Sequence, residues 1–113
     1  MATSQLAALA QDTRLAIFRL LVQQGETGLA AGDIAARLML AAPTLSFHLA
    51  QLKQAGLVRC RRESRSLIYS ADYGAMNTLL GFLTDNCCGG QPELCAPQAK
   101  SCAPAIGVSR KKR

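Results

Sequence analysis

Between Pro43 and Gly56 the chain places leucines at Leu45, Leu49 and Leu52. At about 100° per residue these three fall on one stripe, the spacing of a helix laid against a core. Pro43 suits a first helical turn, where its missing N–H costs nothing, and Gly56 is a C-terminal stop. Before this helix, Gly32-Asp33 opens another, with Ile34, Ala35 and Leu38 turned inward, and Leu40-Ala41-Ala42 leaves room only for a tight turn. After it, the strand-like runs Leu57–Arg62 and Leu67–Ser70 flank Glu63-Ser64-Arg65-Ser66, which reads as a hairpin. Few arrangements satisfy helix, tight turn, helix and hairpin in that order.

The flanking segments extend the pattern. Residues 4–10 predict a short apolar helix around Leu6 and Leu9, and Asp12 is the expected N-cap of a helix carrying Leu15, Phe18, Leu21 and Val22. Gly25 and Gly28 end that helix, and Met76, Leu79, Leu80, Phe82 and Leu83 define a last one whose pattern is lost near Asn86. The expectation is a mainly α winged helix-turn-helix of about five helices plus a β-hairpin wing. Its folded domain is assigned to residues 1–86 and a Cys-rich, basic, flexible tail to 87–113. A chain of 113 residues has room for one modest core, so a dimer sharing apolar helices is expected.

The formal charge of +6 favours a polyanionic partner. Arg59, Arg61, Arg62 and Arg65 crowd the hairpin, and Arg110, Lys111, Lys112 and Arg113 form a terminal run that aids solubility or adds phosphate attraction. No signal peptide and no membrane-length apolar run is visible, and the odd count of 5 cysteines speaks against a disulfide framework. The chain is therefore read as cytoplasmic, with reduced thiols. No phosphate loop, pocket motif or general base marks an enzyme or a small-molecule substrate.

On the Pro43–Ala55 helix, Thr44, His48 and Gln51 share a face beside the leucine stripe, with Ser46 near its N-terminus. Small hydroxyls and amides there can bond base edges or phosphates in a major groove, and His48 can donate to a phosphate oxygen. Phe47 points away from the stripe, either to touch a thymine methyl or to pack on a neighbouring helix. Arg61, Arg62 and Arg65 would reach adjacent backbone or a minor groove.

Leu9-Ala10-Gln11-Asp12-Thr13-Arg14-Leu15, Leu45-Ser46-Phe47-His48-Leu49 and Leu52-Lys53-Gln54-Ala55-Gly56-Leu57-Val58 together resemble the ArsR/SmtB family of metal-responsive repressors. The resemblance, from about Leu6 to Leu83, implies a homodimer packed through first and last helices that releases operator DNA when its ion binds. The family usually shows arginine or lysine where this chain has Phe47.

Three sulfurs able to converge make a trap for a soft ion, and Cys87, Cys88 and Cys95 lie together, with Gly89, Gly90 and Pro92 to close a loop. The arsenic site of many family members, a Cys-x-Cys pair at the third helix, is absent from Leu29–Ile34. The last-helix zinc site needs a histidine that residues 72–86 lack. The cluster resembles instead the C-terminal arsenite site of a subset of the family, which implies As(III), or Sb(III), as inducer and no organic cofactor. Other uses of the thiols are a Cd(II) or Zn(II) site with Cys102 as fourth ligand, or redox chemistry in a thiol enzyme. Adjacent cysteines fit tetrahedral zinc poorly, since two to four intervening residues are usual. Cys60, in the hairpin, is expected to be structural and half-buried.

Overall fold

The computed structural model describes residues 2–90. The chain divides into two compact units at Leu80/Gly81. The first holds helices α1 (Ala2–Leu9), α2 (Asp12–Gln24), α3 (Ala31–Leu38) and α4 (Ala42–Gln54). It also holds strands β1 (Leu29–Ala30), β2 (Val58–Glu63) and β3 (Ser66–Ala71). Helix α5 (Tyr73–Leu83) carries the chain from the first unit into the second.

The leucine stripe of α4 is where the core sits. Leu45, Leu49 and Leu52 are buried, meeting Ile17, Phe18 and Leu21 of α2, Ile34 of α3 and Leu57 at the entry to β2. Burial of such side chains contributes about 1.5–3 kcal/mol each, and the match of one stripe to three neighbours fixes the helix orientations. Ile34 is fully buried, whereas Ala35 and Leu38 are half-buried at the edge of the same cluster.

Local chemistry sets the helix ends. Gln11, rather than Asp12, caps α2: its backbone is extended and its side-chain oxygen accepts from the Arg14 N–H at 2.8 Å. Asp12 is the first helical residue, where its charge complements the helix dipole without making the cap bond. Asp72 does the same capping work for α5, its Oδ1 accepting from the Ala75 N–H at 2.9 Å. Tyr73 seals the other end of α2, its hydroxyl donating to the Val22 carbonyl at 2.7 Å, and burial raises its pKa above the ordinary phenol value.

The hairpin closes as expected, β2 and β3 pairing from Val58↔Ala71 to Glu63↔Ser66 across a two-residue turn in which Ser64 has φ 56°. The two-residue strand β1 was not foreseen; it adds to the far edge of β3 through Leu29↔Tyr69 and Ala30↔Ile68, giving sheet order β1-β3-β2. Gly28 makes this possible. Its φ of +72° is costly for a side chain, and a Cβ there would run into the Tyr69 carbonyl oxygen.

Candidate nucleic-acid interface

Helices α3 and α4 are joined by a turn of three residues, Met39 to Ala41. Met39 reverses the chain with φ 55°, and the Leu40 N–H closes on the Ala35 carbonyl at 3.0 Å. That left-handed residue is a methionine and not the glycine or asparagine usual at such a stop, and it is 89% exposed. Pro43 then sits in the first turn of α4.

With its stripe buried, α4 turns Thr44, Ser46, Phe47, Ala50, Gln51 and Gln54 outward, all exposed. Phe47 is 58% exposed, so among the described residues it stands outside the core rather than packed into it. Its ring meets the His48 imidazole edge-on, with centroids 5.5 Å apart and planes at 65°. His48 is half-buried. Its Nδ1 lies 3.3 Å from Nη1 of Arg14, and the same guanidinium donates from Nε to the Ala8 carbonyl at 2.7 Å. A guanidinium only donates, so Nδ1 is the acceptor and the imidazole proton rests on Nε2. Arg14 thus ties the Ala8 carbonyl, at the C-terminal end of α1, to α4, a role that residue type and spacing alone did not signal.

The hairpin arginines divide into two sets. Arg61 is engaged: Nε meets Glu63 Oε2 at 2.7 Å and Nη2 donates to the Thr27 carbonyl at 2.8 Å, pinning the wing to the loop before β1. Arg59 faces Asp72 at 3.5 Å. Arg62 and Arg65 are exposed and, among the described residues, without partners. Cys60 is half-buried as expected, and lies across the ladder from Tyr69. Burial, then a hydrogen bond to Cys60, raises the Tyr69 phenol above its ordinary value.

In the second unit, Asn86 has φ 56° and Cys87–Gly90 form a 3₁₀ turn in which Gly89 and Gly90 take φ 58° and 84°. Cys95, Cys102 and the terminal basic run lie outside the described residues. Among the described residues no three His, Cys, Asp or Glu side chains gather as a metal site, and no helix is long and apolar enough to cross a membrane.

Two helices joined by a tight turn, the second with an exposed polar face, and a basic hairpin beside them define the winged helix-turn-helix class. Residues 9–61 match the family described as a helix-turn-helix domain. The nodulation protein NolR of Rhizobium meliloti is 35% identical over 80 residues, 71% of this chain and 63% of that protein. The transcriptional activator HlyU of Vibrio cholerae is 32% identical over 78 residues, 69% of each. Among solved structures, an ArsR-like regulator from Rhodococcus superposes with TM-score 0.67 at 26% identity, covering 92% of this chain and 93% of its own. The homodimeric winged helix-turn-helix domain of a possible ArsR-family regulator from Mycobacterium bovis gives 0.59 at 31%, over 74% and 78%. The chain belongs to the helix-turn-helix transcriptional regulators of the ArsR/SmtB type.

Proposed function

We propose that this chain is a transcriptional repressor that binds operator DNA as a homodimer and releases it when As(III), or Sb(III), is captured by Cys87, Cys88 and Cys95. The DNA-reading half is carried by the exposed α4 face. Thr44, Ser46, Phe47 and Gln51 meet base edges, His48 offers its Nε2–H, and Arg62 and Arg65 contact phosphate, with Arg61 holding the wing beside them. Pairing is supported by the homodimeric Mycobacterium bovis neighbour and by apolar side chains left exposed on α1, α2 and α5, namely Leu6, Leu15 and Leu80.

Support for the regulatory half is the 3₁₀ turn at Cys87–Gly90, which follows α5 closely and ends on two glycines in left-handed conformations. Such a turn redirects the chain, so that a thiol seven residues on can approach the adjacent pair. Three thiolates suit a trivalent pnictogen, neutralising its charge while its lone pair occupies a fourth corner. Ligands drawn from the segment after α5 couple capture to the helix that would pair the subunits. Couplings between sites of about 1–3 kcal/mol correspond to roughly 5- to 150-fold in affinity.

The test is fluorescence anisotropy on a duplex selected by the protein from a random library, with arsenite, antimonite, Cd(II) or Zn(II) added in turn. Arsenite should release the duplex from the wild type but not from Cys87→Ser, Cys88→Ser or Cys95→Ser. Normal release from those variants rejects the ligand assignment. Release by Cd(II) or Zn(II) alone, abolished by Cys102→Ser, would replace it with a four-thiol divalent site.

A further inference from the structure

Phe47 stands apart on the α4 face. Its neighbours Thr44, Ser46, Gln51 and Gln54 are polar and Ala50 is small, yet this aromatic residue is 58% exposed in their midst. The ring also has a neighbour. It meets His48 edge-on at 5.5 Å, and the imidazole Nδ1 lies 3.3 Å from Nη1 of Arg14, which donates from Nε to the Ala8 carbonyl at 2.7 Å. A side chain with two rotatable bonds loses little freedom when it meets a surface.

A phenyl ring forms no hydrogen bond with the donors and acceptors of a groove floor. In the major groove one group is apolar: the methyl on C5 of a pyrimidine, which in unmodified DNA belongs to thymine. Resting on the reading of α4 as the DNA-contacting helix, we infer that Phe47 is a specificity residue that reads the thymine C5-methyl group. The α4 face then splits its work. Gln51 and the hydroxyls test hydrogen-bond patterns, whereas Phe47 tests for a methyl and penalises cytosine, whose C5 is bare.

The experiment uses the full chain and a duplex that it selects from a random library. Each thymine of that duplex is replaced in turn by deoxyuridine, which keeps pairing and the O4 acceptor and removes only the methyl. Wild type should lose about fourfold in affinity at the contacted position, the fold-change given by about 0.8 kcal/mol per buried methyl-sized group. With both half-sites substituted, the loss should be on the order of 15-fold if the two add. Phe47→Ala should bind the thymine duplex more weakly and no longer distinguish uracil, while Phe47→Leu should keep part of the discrimination. Thermal melts of both variants should match the wild type, because the ring is largely outside the core.

Equal wild-type affinity for the thymine and uracil duplexes overturns the inference, as does a Phe47→Ala variant that discriminates like the wild type. A gain on methylating cytosines, with no loss on uracil, would reassign the methyl to 5-methylcytosine and also overturn it. Failure to select any duplex would instead overturn the reading of α4, and this inference with it.

Discussion

Arg14→Ala removes the guanidinium that joins three helices, and its cost can be worked bond by bond. The Nε bond to the Ala8 carbonyl, at 2.7 Å, is short and charge-assisted, a type that contributes about 1.5–3 kcal/mol. The contact to His48 Nδ1, at 3.3 Å, is longer and contributes at the low end of about 0.5–1.5 kcal/mol. Arg14 is half-buried, so partial access of water discounts the sum to about 2 kcal/mol. For a domain of this size, 1 kcal/mol moves the melting temperature by about 4–8 °C, so Arg14→Ala should melt about 8–16 °C lower. The partition is testable with His48→Ala and the double variant, melted by circular dichroism at one protein concentration. If the imidazole takes its share of the guanidinium, the double variant should be less destabilised than the two singles combined, by about 0.5 kcal/mol or more. Costs that add within about 0.3 kcal/mol would show that Arg14 serves α1 alone. An Arg14→Ala protein as stable as the wild type would refute the reasoning altogether.

Two further outcomes follow from named geometry. Gly28→Ala should cost about 1–3 kcal/mol from its left-handed backbone, plus displacement of β1 by the new Cβ against the Tyr69 carbonyl. Gly25→Ala, at φ +90° in open space, should cost only the backbone part, so urea midpoints of the two variants should differ. In the wing, Arg62→Ala and Arg65→Ala should each lower the slope of log affinity against log salt by about 1.8 for the dimer, one phosphate contact of about 0.9 from each subunit. Arg61→Ala, whose side chain holds Thr27 and Glu63, should act chiefly by loosening the wing; an equal loss of slope would place Arg61 on the phosphates as well.

The core was legible because Leu45, Leu49 and Leu52 carry a period that only a helix on a core satisfies, and the hairpin because Glu63-Ser64-Arg65-Ser66 breaks two strand-like runs. What escaped was set by tertiary contact. β1 is two residues long and leaves no alternation to detect; it exists because β3 offers an edge and Gly28 lets the backbones approach. The α2 cap moved from Asp12 to Gln11 because the longer amide reaches the Arg14 N–H from an extended residue, a geometry that cap preferences rank low. His48 was placed on the reading face by its spacing, but its tie to Arg14 spans 34 residues and no local pattern encodes it. Arg61 and Arg62 look alike in sequence, and only strand alternation and the loop before β1 separate the wing's anchor from an arginine that, among the described residues, has no partner.

The distribution of charge bears on how such a protein would divide affinity from specificity. Of 13 Lys and Arg against 7 Asp and Glu, four cations belong to Arg110–Arg113, so the rest of the chain carries only +2. Within the wing, Arg59 and Arg61 already face Asp72 and Glu63, which leaves Arg62 and Arg65 as its uncommitted cations among the described residues. A duplex bound by the folded domain alone would therefore meet few phosphate contacts, and salt should weaken it gently. On the proposed function, discrimination comes chiefly from uncharged groups on α4, where a ring and an amide lose nothing to screening by salt. Removing Arg110–Arg113 should lower affinity for all duplexes by a similar factor and leave the ranking among sequences intact. A changed ranking would mean that the terminal run itself reads sequence, and that α4 is not the sole reader.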